Sequence, residues 1–222
     1  MAFFTHQYLD FFRELQANNR KEWFDAHRKT YEDAVKAPFK AFVDQLVLGI
    51  QGFDPEVQGS SKDSIFRINR DIRFSKDKAP YKSHMSAAFS ARGKMATDPG
   101  YYFEIGAEGI MIGGGIYSVE KEDTHKIRME IDYNQEEFAD LVGDLVFVKH
   151  FGALQGDQNK VLPAPFKESV KTQPLIANKN FYYMASLPAS LVVSDALLST
   201  LLAYFQAGFP INQFLRRALS DE

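Results

Sequence analysis

A chain of 222 residues with 45% apolar and 25% charged side chains is long enough to close a core of its own, and 20 phenylalanines predict a core built from rings. It has no cysteine, which excludes disulfides, thiol catalysis and cysteine-held zinc. The net charge of −3 is uneven: from Lys62 to Lys94 nine Lys/Arg stand against three Asp/Glu, a local +6 that leaves −9 elsewhere. That balance suits a small anion or an acidic partner surface and makes duplex nucleic acid an unfavourable partner.

The N-terminal MAFFTHQYLDFFREL lacks a basic lead and reads as the first helix of the fold, not a secretory signal. No stretch approaches the roughly 20 apolar residues that span a bilayer. The expectation is a cytoplasmic chain with no membrane contact. Thr5 is a plausible N-cap, and Tyr8, Leu9, Phe12 and Leu15 form a buried stripe. Asn18 and Asn19 break it, and Asn19 can cap a second helix on which Trp23, His27, Tyr31 and Val35 recur every four residues. Pro38 should kink or restart that helix before Phe39, Phe42, Val43, Leu46 and Ile50 continue its apolar face. Gly52 to Lys62 is a loop.

Strands follow at Ser64 to Phe74 and His84 to Ala91, then a hairpin from Tyr101 to Tyr117 turning near Ala107-Glu108-Gly109. A helix is expected from Glu120 to about Asp132, and Asn134 with Glu137 opens another carrying Phe138, Leu141, Val142 and Leu145. Phe147 to Leu162 reads as a short hairpin, 161–174 as a loop and Phe181 to Ala185 as a strand. Ser194 caps a helix bearing Leu197, Leu201 and Phe205, which Gly208 ends, and Pro210 opens a last short helix. Helices, then strands, then helices predict an α+β fold: a single domain over 1–222, mainly antiparallel sheet, with N-terminal and C-terminal helices packed on it.

The stretch FRINRDIRFSKDKAPYK, residues 66 to 82, concentrates the basic charge. As a strand it would turn Phe66, Ile68, Ile72 and Phe74 to the core with Arg70 among them, and Arg67, Asn69, Asp71 and Arg73 to the other face. A guanidinium on a core face requires a carboxylate, carbonyls or an aromatic plane. Arginine at three positions fits bidentate grip on a flat anion, and Lys76, Lys78 and Lys82 gather beside Tyr81 in the following loop.

The motif R-x-x-R-D-x-R-F-S-K-D-K-x-P-Y-K, Arg67 to Lys82, resembles the signature of the domain of unknown function 2461 family, bacterial proteins of about this length with some fungal relatives. L-x-x-N-N-x-x-x-W-F at Leu15 to Phe24, PGYYFEIG and GGGIY match it too. The resemblance runs closely from about residue 5 to 132 and more loosely to the end; APFKESVKTQP stands where the family carries a more basic, Pro-Gly-containing segment. It implies a shared site and no particular reaction.

The residues themselves point to an anion site made of Arg67, Arg70, Arg73, Lys76, Lys78, Tyr81 and Lys82, bordered by Gly114 of the Gly113-Gly114-Gly115 run. Its ligand would be a small molecule bearing phosphate or carboxylate. Asp71 would orient an arginine, and Asp71 with Glu104 are the candidate acid/base pair, suited to phosphoryl or acyl transfer. No cofactor motif is present. The histidines His6, His27, His84, His125 and His150 are scattered at no metal-ligand spacing, and only His84 lies near the motif. Three other readings compete: an adaptor for an acidic protein segment, a single-stranded nucleic-acid binder stacking on Tyr81, Tyr101 and Tyr102, and an ion-pair lattice with no ligand. Whether the guanidinium groups are saturated by the protein's own acids separates them.

Overall fold

Apolar side chains at helical spacing organise the N-terminal quarter. The computed structural model, which describes residues 2–94 and 97–220, places them in α1 (His6–Ala17), α2 (Lys21–Ala26), α3 (Arg28–Thr30) and α4 (Ala37–Gln51). A π-helical stretch, Tyr31–Lys36, joins α3 to α4, and Pro38 sits in the first turn of α4. The missing proline N–H thus falls where the register changes, so the helix restarts without a break. Arg20, not Asn19, occupies the N-cap position of α2, because the Asn19 side chain is engaged elsewhere.

After the single turn α5 (Ser61–Ser64), the described residues form a four-stranded antiparallel sheet in chain order: β1 (His84–Phe89), β2 (Gly100–Gly106), β3 (Gly109–Ile116) and β4 (Phe181–Pro188). Pairing of Gly106 with Gly109 leaves Ala107-Glu108 as a two-residue turn, as the sequence predicts. Alternation gives the sheet two unlike faces. Met85, Ala87, Phe89, Tyr101, Phe103, Ile105, Ile110 and Ile112 are buried with α1, α4 and the C-terminal helix. Phe103 lies at the centre, with ring centroids 5.5 Å from Phe39, 5.8 Å from Phe42 and 6.1 Å from Phe89. Full burial of one such ring stabilises by about 1.5–3 kcal/mol. His84, Ser86, Tyr102, Glu104, Met111, Met184 and Ser186 take the opposite face.

The remaining helices are α6 (Lys121–Tyr133), α7 (Gln135–Gly143), α8 (Leu145–Phe151) and α9 (Leu197–Leu219). Four expectations fail here. Ala196, not Ser194, holds the N-cap position of α9, and Leu145 opens α8 instead of lying on α7. The hairpin predicted from Phe147 begins instead inside α8, whose first turn is capped by Asp144 accepting from the N–H groups of Val146 and Phe147. Gly208 and Pro210 do not break the C-terminal helix, which runs through both. A Cβ on Gly208 would come within 2.2 Å of the Tyr183 hydroxyl, so that glycine permits close contact between α9 and β4. Burial of Ile211, Phe214 and Leu215 beyond the proline offsets its cost, about 3 kcal/mol in a helix interior. No described helix is long and apolar enough to cross a membrane.

Candidate functional site

The basic motif is not a strand. Ile65 bridges to Ala87 and the Phe66 N–H donates to Ser86 O at 2.9 Å, so the segment starts along the β1 edge. It then leaves that edge and folds on itself. Lys82 N–H donates to Ile68 O, Asn69 bridges Tyr81, and Arg70 N–H donates to Pro80 O, leaving 71–79 as a loop. The predicted alternation fails because local polar contacts compete with the ladder. Asp71 accepts from the Arg73 N–H and Asp77 from the Ala79 N–H, while Pro80 has no N–H to offer a strand. Phe74, expected on the core face, is 95% exposed, whereas Ile68 is buried.

Within the loop most cations meet the protein's own acceptors. The Arg70 guanidinium pairs with Asp77 and donates to Ala79 O, the carboxylate and carbonyl that its position demands. Arg73 grips Asp71 through Nε at 3.0 Å and Nη2 at 2.7 Å, and Lys78 donates to Ile72 O at 3.0 Å. Hydrogen bonds from Arg73 hold the Asp71 carboxyl below its ordinary range; the Ala79 N–H and then Arg70 do the same for Asp77. Tyr81 is buried and stacked on Phe24 at 4.0 Å, and its backbone is clamped by Asn19, which donates to Tyr81 O and accepts from Tyr81 N–H. The segments around Asn19 and Tyr81 are therefore in contact. Arg67 and Lys76 are exposed and make no hydrogen bond or ion pair among the described residues.

Lys82 behaves differently. It is half-buried, its ammonium stands 5.2 Å from the Phe66 ring centroid, and burial lowers its pKa against the pull of Glu104. Lys94 approaches the same ring at 5.7 Å and donates to Ile65 O at 2.6 Å. Beside Phe66, on the helix-free sheet face, lies a cleft of about 640 Å³ lined among others by Lys94, Asp98, Tyr102, Tyr117 and Tyr182. The Asp98 Oδ2 atom is buried without a hydrogen-bond partner among the described residues. Such an acceptor is costly to leave unmet.

Glu104 does not meet the arginine row, nor is Asp71 brought to it. It accepts from the Tyr102 hydroxyl at 2.6 Å and lies 3.2 Å from His84 Nε2. Burial, then Glu104, raises the Tyr102 pKa, so Tyr102 is a neutral donor. Burial lowers that of His84, with Glu104 opposing and Lys82 reinforcing the shift. A carboxylate oxygen at this position favours the His84 tautomer with its proton on Nε2. His84 and Glu104 line a second hollow of about 280 Å³.

The glycine run lies inside β3, where Gly114 and Gly115 line the cleft and also allow close packing. A Cβ on Gly114 would fall 2.4 Å from the Tyr183 hydroxyl and 2.5 Å from Gly100 O, and Gly115 has φ +89°. The Gly115 N–H already donates to Asn212 Oδ1. Asn212 also donates to Gly100 O, and Arg216 Nε donates to Pro99 O. Arg216 is gripped by the buried Asp54 through two bonds of 2.8 Å, and Tyr101 donates to Asp54 at 2.7 Å. This buried network fixes the cleft floor from beneath. Sequence reasoning missed Asn212, Arg216 and Asp54, since the bonds from Asn212 and Arg216 to Gly115, Gly100, Pro99 and Asp54 span 97 to 162 residues. It also missed Asp98, Tyr117 and Tyr182, which no local pattern marks.

A family model described as conserved hypothetical protein (DUF2461) matches residues 7–214, which include both contacting segments, the cleft and Asn212. No curated protein matches the chain.

Proposed function

From the chain's membership of the DUF2461 family of conserved hypothetical proteins, whose description names no activity, we propose that it binds a small ring-bearing molecule carrying phosphate or carboxylate in the cleft on the helix-free sheet face. One observation carries the reading: a cleft of about 640 Å³, within the range of small-molecule sites, joins aromatic walls to a lysine and an unpartnered carboxylate oxygen. Tyr102, Tyr117, Tyr182 and Phe66 would sandwich the ring, Lys94 and Lys82 would meet the anion, and Asp98 would accept an N–H or O–H from the ligand. The motif's share narrows to Phe66 and Lys82, with exposed Arg67 beside them, because Arg70, Arg73 and Lys78 are engaged in shaping the loop. A cytoplasmic setting among phosphorylated metabolites goes with this reading. Should a reaction follow binding, Glu104 with His84 is the pair placed to carry a proton, and the lysines would stabilise the negative charge of phosphoryl or acyl transfer.

Titrating phosphorylated and carboxylated metabolites into labelled protein should shift the amide resonances of Gly100, Tyr102 and Tyr182. Lys82→Ala with Lys94→Ala should weaken that binding at least about tenfold. If no compound moves those amides, or the double variant binds as well as the parent, the proposal fails.

A further inference from the structure

The self-closed loop raises a separate question: what does so much bracing accomplish? Arg70 with Asp77, Arg73 with Asp71, Lys78 with the Ile72 carbonyl and Asp77 with the Ala79 N–H together fix the backbone around one residue, Phe74. Its ring is 95% exposed, and its one described aromatic or cationic neighbour is Arg73, 5.9 Å from the centroid. An apolar ring held in water by a structured loop is the arrangement that loses little conformational freedom on docking. Large aromatic side chains are also the anchors that dominate protein interfaces. The ring stands amid positive charge: from Arg67 to Lys78 there are five cations and two carboxylates, and Arg67 and Lys76 are exposed and make no hydrogen bond or ion pair among the described residues. Residues 71–79 do not line the cleft, so the anchor and Lys76 are separate from the ligand reading, and Arg67 alone is shared with it.

We infer that the 71–79 loop is a docking element for an acidic, linear protein segment, with Phe74 as its anchor and Arg67 and Lys76 as its electrostatic guides. Charge complementarity selects this occupant. The −9 carried by the rest of the chain repels a long polyanion, whereas a short run of carboxylates beside an apolar side chain meets only the loop. Such a segment would bind more weakly as salt rises, since the exposed guides are screened.

The test is selection of a random-peptide display library on the full chain, followed by fluorescence polarisation with the selected peptides against four proteins: parent, Phe74→Ala, Lys76→Glu and the exposed-aromatic control Tyr133→Ala. A labelled oligothymidylate of about 12 nucleotides serves as the competing probe. Unchanged circular dichroism melts will show that the variants fold. The expected result is enrichment of peptides combining acidic and apolar residues, with affinity lost at least about tenfold in Phe74→Ala, reduced in Lys76→Glu and unchanged in Tyr133→Ala. Absence of enrichment overturns the inference, as does binding indifferent to Phe74→Ala. Phe74-dependent binding of the oligonucleotide tighter than that of any selected peptide also overturns it, in favour of nucleic acid.

Discussion

Replacing Arg216 by methionine should destabilise the fold by about 3–5 kcal/mol, the usual consequence of leaving a buried charge without its partner. Asp54 is 0% exposed and accepts three hydrogen bonds, two from Arg216 and one from Tyr101. The substitution removes two of them. At about 1.5–3 kcal/mol for each bond to a charged group, the loss is about 3–6 kcal/mol, in agreement with the first figure. Glu56, 3.8 Å from Arg216 and largely exposed, contributes little beside this. Asp54→Leu should cost a similar amount by stranding the guanidinium. The double variant Asp54→Leu/Arg216→Met removes both charges and leaves only the Tyr101 hydroxyl and the Pro99 carbonyl unmet. Its loss should therefore lie at least about 2 kcal/mol below the sum of the single losses. Urea unfolding followed by circular dichroism measures all three. Single losses under about 1 kcal/mol, or strict additivity, would refute the account of a buried pair that must be kept or removed as a unit. Because Arg216 also holds Pro99, the single variant should speed amide exchange at Gly100 on the cleft floor.

Asn19→Ala removes both bonds to the Tyr81 backbone and should cost about 1–3 kcal/mol, with faster exchange of the Tyr81 amide; an unchanged exchange rate would contradict the clamp. Asp71→Ala breaks an exposed pair, so the urea midpoint should not move while the Arg73 amide loses protection. Gly114→Ala should destabilise by about 1–3 kcal/mol by forcing a methyl against Tyr183 and the Gly100 carbonyl, and a neutral result would show that β3 has room to shift. His84 makes stability depend on pH. Burial holds its folded-state pKa below the ordinary 6.5, so its contribution is complete above 6.5 and is lost as pH falls from there toward the folded-state value. The unfolding midpoint should thus drop between about pH 7.5 and about pH 5.5, and drop less in His84→Gln; equal drops would remove His84 as the cause.

Where local chemistry decides the outcome, the chain is legible. The stripes of α1 and α4, the β2–β3 turn at Ala107-Glu108 and the alternation around Phe103 follow from side-chain period, because each is settled by neighbours a few positions away. The concentration of charge at 66–82 is legible too. Its geometry is not: whether Arg73 faces a ligand or Asp71 depends on the chain leaving the β1 edge after Phe66, a competition between ladder and side-chain bonds that no period encodes. Gly208 and Pro210 read locally as a stop, and burial against β4 overrides them. The cleft belongs wholly to tertiary structure. Asp98, Tyr117 and Tyr182 become one lining only when four strands align, and the floor is fixed by Asn212 and Arg216 from the far end of the chain. Composition and period determine which residues must be buried, and contacts across a hundred residues determine which polar groups are left facing a hollow.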